Sequence, residues 1–191
     1  MCGRLNVIDD PLCIWVQDVL GLKFSTHSNS DLRPTQPLAA IHKALGQLAQ
    51  LDCSWGIKPQ WAKQLLINAQ AETVREKKTF AKAFREHRVL VPCSGWYEWR
   101  TEAGTKHKYA FSHPAGEPLL MAGIYYPSYY EQTAPQLVPL TTAPTQQCAE
   151  YHNRMPLLVP LDAVGYWFNS VSENLDVLLH SPSLPFLINR S

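Results

Sequence analysis

Cys2 follows Met1 directly and is followed by the small Gly3. With Met1 removed, Cys2 presents an α-amine and a thiol on adjacent carbons. Reference pKa values of about 7.7–8 and about 8.5 leave both nucleophiles partly available near neutral pH. Such a 1,2-aminothiol has a specific partner, an aldehyde. The amine forms a Schiff base, and the thiolate closes on the imine carbon to give a five-membered thiazolidine. An internal cysteine cannot do this, because its nitrogen is an amide. The competing reading retains Met1 and makes Cys2 an ordinary small buried residue.

Three further segments carry candidate chemistry. In Ser94-Gly95-Trp96-Tyr97-Glu98-Trp99, a strand's two-residue period puts Trp96 and Glu98 on one face and Tyr97 and Trp99 on the other. A carboxyl beside an apolar wall has a raised pKa and suits a proton shuttle, whereas an edge-strand Glu in water does not. In Tyr151-His152-Asn153-Arg154-Met155-Pro156, His152 can move protons and Arg154 can hold a phosphate or carboxylate, against a purely structural His. Asn68 ends the apolar run Leu65-Leu66-Ile67, where its amide can meet a ligand or simply form a turn. Trp55 and Trp61 bracket Gly56-Ile57-Lys58-Pro59-Gln60, a mixture that can stack bases or pack a core. The other histidines have no ligand spacing, so no metal site is read, and nothing calls for a cofactor.

These residues need a scaffold. Asp9-Asp10-Pro11 reads as a helix start, with Leu12, Trp15, Val16, Val19 and Leu20 at helical spacing and Gly21 closing the helix. Residues 37–43 and 47–53 form a hairpin around Gly46, Leu65 to Asn68 a short buried strand, and 72–87 a helical stretch. Strands are predicted at 89–92, 96–100, 107–112, 119–125 and 136–142, and helices near 145–150, 161–169 and 173–180. Fifteen prolines scattered between apolar runs suit many short strands. The pattern is a mixed α+β domain.

With 191 residues, 46% hydrophobic and 17% charged, the chain is one domain, neither disordered nor coiled coil. No run of about 18 apolar residues predicts a membrane span, and the opening MCGRLNVIDD is no ordinary signal peptide. Five widely spaced cysteines without a CxxC pair suit a reducing compartment, the cytoplasm. The net charge of +1 hides an asymmetry: residues 1–95 hold 12 Lys/Arg against 8 Asp/Glu, and 96–191 hold 5 against 8. The excess peaks at Arg75, Lys77, Lys78, Lys82, Arg85 and Arg88, a face that can meet phosphates or merely be solvated.

Taken in order, Met1-Cys2-Gly3-Arg4, Trp55-Gly56 through Trp61, Ile67-Asn68-Ala69-x-Ala71-Glu72-Thr73, Val91-Pro92 through Trp99, and His152-Asn153-Arg154-Met155-Pro156 resemble the SOS-response-associated peptidase (SRAP) family. Its members act as abasic-site processing proteins, and the resemblance spans about residues 2–160. It implies a single α+β domain over residues 1–191 with a strongly bent, barrel-like, mostly antiparallel sheet and flanking helices. It implies that Cys2, freed of Met1, traps the ring-opened aldehyde of an abasic site in single-stranded DNA as a thiazolidine crosslink. By the same carry-over Asn68 holds the opened sugar, Glu98 is the acid/base for imine formation, and His152 aids ring opening. Arg4, Trp61, Gln70, Thr141 and Arg154 fall where the family lines its DNA channel. A monomer in the bacterial cytoplasm, nucleoid-associated when acting on DNA, is the expectation, together with a role in the SOS response.

The chain departs from the family at particular places. Gln70 stands where Arg is common, which weakens phosphate binding, and Asp31-Leu32-Arg33-Pro34 replaces Asn-x-x-Pro. That places a negative charge near the site, for which Arg33 is a candidate compensation. Cys93 reads as packing. Two other functions compete: a thiol peptidase acting in trans or on its own N-terminus through Cys2, Glu98 and His152, and a non-catalytic single-strand binding module.

Overall fold

The computed structural model describes residues 3–128, 134–181 and 184–191. Leu45 and Gly46 both adopt positive φ, 49° and 84°, the two-residue turn whose twist matches right-twisted strands. It joins the longest antiparallel pair, paired from Pro37↔Ser54 to Ala44↔Gln47, as the sequence predicts. In chain order the elements begin with β1 (Leu5–Val7), α1 (Asp9–Leu20), β2 (Asn29–Leu32), β3 (Pro37–Ala44), β4 (Gln47–Trp55) and β5 (Ala69–Gln70). There follow α2 (Lys78–Glu86), β6 (Arg88–Cys93), β7 (Gly95–Glu102), β8 (Thr105–Ser112), β9 (Leu119–Tyr126) and β10 (Gln136–Thr142). The chain ends with α3 (Gln146–Ala149), β11 (Met155–Pro156), α4 (Val164–Asn169) and β12 (Leu187–Arg190). Short 3-10 turns occupy Ala71–Thr73, Leu161–Ala163 and Ser172–Leu178.

The mixed α+β expectation holds, with the strands divided between two sheets. One has the order β12-β8-β7-β1-β2. In the other, β10, β4, β3, β6 and β9 close into a ring, because β10 pairs both β4, in parallel, and β9, antiparallel. Between β6 and β7 the chain changes sheet within a single residue, Ser94, whose N–H donates to Asn6 O (2.9 Å) and whose Oγ accepts from Ile8 N–H (3.0 Å), so the crossing is tied to β1 and the start of α1. The next residue must be glycine. A Cβ on Gly95 would lie 2.2 Å from Phe111 O.

One continuous apolar cluster joins the two sheets, with Trp55, Trp96, Trp167, Phe84 and Phe111 fully buried. Trp96 stacks on Phe111 with ring centroids 4.9 Å apart and meets Phe186 edge-on, geometries that aromatic quadrupoles favour. In α1, Leu12 and Val16 are buried one turn apart, and Gly21 ends the helix at φ 65°, donating to Gln17 O.

Three local expectations are revised. Asp9 does not cap α1 from outside: its Oδ1 accepts from Asp10 N–H and Ser28 Oγ–H, and Asp10 is extended. Leu65 to Asn68 forms only an isolated bridge, Ile57↔Leu66. The Trp55 indole N–H, donating to Ile67 O at 2.8 Å, draws this segment across the end of β4, and pairing resumes as β5 beside β10. The 72–87 stretch splits into the Ala71–Thr73 turn and α2, because Lys77 is extended.

Candidate active site and nucleic-acid interface

Glu98 projects from β7 to the same side as Trp96, and only 3% of it is exposed. Burial among apolar groups penalises the carboxylate and pushes its pKa up to about 7. Its Oε2 lies 3.9 Å from His152 Nε2. The sequence thus places the carboxyl on the correct face, and its water-exposed alternative is removed.

His152 is positioned by the turn after α3, where Tyr151 and His152 N–H both donate to Cys148 O. Its Nδ1 lies 3.0 Å from Arg154 N and 3.1 Å from Arg154 O, a donor and an acceptor of one residue that hold the ring whichever nitrogen carries the proton, and Nε2 faces Glu98. Burial lowers the pKa of His152, so the uncharged ring is favoured.

Arg154 holds this loop in place. Its two terminal nitrogens donate to the two carboxylate oxygens of Glu72 at 2.8 and 2.7 Å, and Nη2 also reaches Thr141 O at 2.6 Å. The Arg154 guanidinium holds the Glu72 carboxyl below the usual carboxylate range. Arg154 is thus already engaged by a carboxylate of its own chain. Glu72 is a site residue that the sequence showed only as part of a longer motif.

Asn68, Gln70, Thr141, Arg154 and Trp61 line one cavity of about 500 Å³, together with Lys77 and Lys78 at the start of α2. Trp61 is 68% exposed and also walls an adjoining cavity with Lys58 and Gln136. Trp55, by contrast, is fully buried, so of the two tryptophans one packs and one faces solvent. Gln70 is exposed beside Arg154, where a cation would have added to the field of Lys77 and Lys78.

The basic run divides. Lys77 and Lys78 reach the cavity, but Arg88 donates to the carbonyls of Phe84, Arg85, Trp167 and Ser170, and Arg75 pairs with Asp176. Those two arginines hold the fold together, a use invisible in charge counts.

Arg4 lies apart from this cavity. Its Nε is 3.2 Å from Asp31 Oδ1, and Arg33 and Lys108 meet the same carboxylate. Arg33 does compensate Asp31, in company with two other cations. Cys2 lies outside the described residues. The register pairs Leu5 with Trp96 and Asn6 with Gly95, and Tyr97 N–H donates to Arg4 O, so residues before Leu5 lead on along β7 in the direction of Glu98. Cys93 is fully buried and its thiol is pushed up to about 12, which makes it a packing group, as the sequence suggests.

A buried carboxyl faced by a histidine and a lysine-flanked, tryptophan-walled cavity thus sit on two joined sheets. The chain belongs to the SOS response associated peptidase (SRAP) family, whose model matches residues 1–184. It is 29% identical over 202 residues to the abasic site processing protein YoaM of Bacillus subtilis, covering 97% of this chain and 86% of that one. With the abasic site processing protein YedK of Escherichia coli it shares 30% identity over 115 residues, 59% of this chain and 52% of that one. A crystal structure of a Bordetella bronchiseptica protein has the same fold, with a TM-score of 0.84 at 20% identity, over 100% of this chain and 99% of that one. Among the described residues no helix is long and apolar enough to cross a membrane.

Proposed function

We propose that this chain captures abasic sites in single-stranded DNA by forming a thiazolidine between Cys2, after removal of Met1, and the C1′ aldehyde of the opened sugar. The observation that supports this reading is the β1–β7 pairing, Leu5 with Trp96, which leads the chain's N-terminal residues along β7 on the side of a buried Glu98 that His152 faces at 3.9 Å. The names of the relatives support the substrate class.

The chemistry follows from those groups. His152, kept uncharged by burial and presenting Nε2, exchanges protons with the sugar as the furanose opens to the aldehyde. The Cys2 amine adds to C1′, forming the N–C bond of a carbinolamine. Glu98, near half-protonated at neutral pH because of its raised pKa, gives its proton to the carbinolamine hydroxyl, which leaves as water. Loss of water leaves a protonated imine; the Cys2 thiol returns a proton to the Glu98 carboxylate, and the thiolate adds to C1′, leaving the nitrogen a neutral secondary amine. The sum is aldehyde plus aminothiol to thiazolidine plus one water. Asn68 holds the opened sugar by its amide, and Trp61 offers a face on which a neighbouring base stacks.

The test is a denaturing gel of the protein with an oligonucleotide carrying one abasic site, alongside intact-mass analysis of the N-terminus. A heat-stable shifted band, lost with undamaged DNA and with Cys2→Ala or Cys2→Ser, is the expected result. A band that persists in Cys2→Ala, or no band from protein with a free Cys2, would overturn it.

A further inference from the structure

The face of β7 opposite Glu98 carries a second charged assembly that the capture chemistry does not use. Tyr97 and Trp99 lie on that face, and cations lie over both rings. The Lys108 ammonium is 3.8 Å from the Tyr97 centroid and 6.0 Å from that of Trp99, and the Arg4 guanidinium is 5.9 Å from Trp99. Such contacts fix a cation while leaving its outer side open to an anion.

Both cations, with Arg33, converge on a single carboxylate. Arg4 Nε lies 3.2 Å and Lys108 Nζ 3.8 Å from Asp31 Oδ1, and Arg33 Nε lies 2.8 Å from Oδ2. They come from distant parts of the chain because β2 pairs β1, β1 pairs β7 and β7 pairs β8. One carboxylate offsets one unit of charge, so the cluster retains an excess of two positive charges. All four side chains remain 28–57% exposed, within reach of an anion from solvent. The Arg33 guanidinium holds the Asp31 carboxyl below the usual range, so Asp31 stays ionised throughout the neutral region.

We propose that this cluster is a contact surface for the phosphates of the single strand flanking the captured sugar, with Asp31 as the built-in counter-ion that sets how tightly it holds. The inference rests on the DNA reading above. Arg4, two residues from Cys2 in sequence, links the two surfaces. Asp31 keeps three cations ordered in the free protein, and it repels each arriving phosphate while competing with it. The strand is therefore held less tightly than the number of cations would suggest.

The experiment is equilibrium binding of an undamaged single-stranded oligonucleotide over a salt series, followed by fluorescence anisotropy, which keeps covalent capture out of the readout. Asp31→Asn should tighten binding about threefold or more at low salt and steepen the salt dependence by about 0.7 for each phosphate newly neutralised. Lys108→Gln and Arg33→Gln, in otherwise wild-type protein, should each weaken binding and flatten that slope. Unchanged affinity and slope in both Gln variants, with unfolding transitions like the wild type's, would overturn the proposal even if Asp31→Asn failed to fold. The capture reading stands or falls separately, on the abasic-site gel: a crosslink without these salt effects rejects the surface alone, and salt effects without a crosslink reject capture alone.

Discussion

Arg154 grips both carboxylate oxygens of Glu72, at 2.8 and 2.7 Å, across 82 residues of sequence. Glu72 Oε1 also accepts from Ala143 N–H, so the carboxylate ties β10 to the turn after β5. Because the backbone of Arg154 holds His152 Nδ1, the ion pair also sets the direction in which His152 presents Nε2. Glu72 is in this sense a positioning residue for the proposed acid–base pair.

Glu72→Ala should cost about 1–2 kcal/mol of stability, the lower part of the range for hydrogen bonds to charged groups, because the carboxylate is partly exposed and screened. Urea unfolding checks this. Crosslinking by Glu72→Ala should slow and its pH profile should shift as His152 loses its fixed orientation, whereas Glu72→Gln, which keeps one acceptor oxygen, should recover part of the rate. An unshifted pH profile in Glu72→Ala would reduce Glu72 to a stability role.

Burial of Glu98 predicts a particular dependence of stability on pH. Its folded pKa of about 7 lies above the ordinary 4.5. Between those values the unfolded chain has lost the proton and the folded one still holds it, so stability falls as pH rises. Below that window both states are protonated, and above it the loss is complete, at roughly 3 kcal/mol. Glu98→Gln cannot ionise, so it should lose much less stability than the wild type between about pH 5 and about pH 8. His152 and Cys148, titratable neighbours of Glu98 among the described residues, are present in both proteins. Parallel denaturation midpoints across that range would show that Glu98 is not held neutral by its burial.

Trp61→Ala separates binding from folding. At 68% exposure the indole contributes little to the core, and its loss should change stability by no more than about 0.5 kcal/mol. If a base stacks on it, single-strand affinity should fall by about 1–3 kcal/mol. Anisotropy with an undamaged oligonucleotide measures the second quantity and thermal unfolding the first. A large Tm drop with unchanged affinity would make Trp61 structural.

Gly95→Ala should behave in the opposite way. Its Cβ would lie 2.2 Å from a backbone oxygen of β8, and no rotamer relieves a backbone clash. The β7–β8 pairing must shift, and with it Glu98 three positions along β7. Soluble yield and Tm should both fall sharply. A variant as stable as the wild type would mean that the two strands separate at little cost.

The parts of this architecture legible in the sequence are those that depend on close neighbours. The Gly46 hairpin, Gly21 as a helix end, and the sharing of one strand face by Trp96 and Glu98 all follow from backbone preferences over a few residues. The strand expected over 65–68 and the helix expected from residue 72 both depart from local pattern for the corresponding reason. The conformation there is decided by the indole of Trp55 and by Glu72 reaching Arg154, and neither partner is local.

By itself the sequence determined the chemical repertoire: an aminothiol at Cys2 once Met1 is removed, a carboxyl among aromatics at Glu98, an imidazole at His152, and a chain of short strands. Tertiary structure decided how that repertoire is used. It drew Arg88 and Arg75 into the fold while leaving Lys77 and Lys78 at the cavity, committed Arg154 to Glu72, and gathered three cations around Asp31. It also set the proton affinity of Glu98. The reason is physical: residue type and spacing are local properties, whereas desolvation and ion pairing depend on neighbours that only folding brings within a few ångströms.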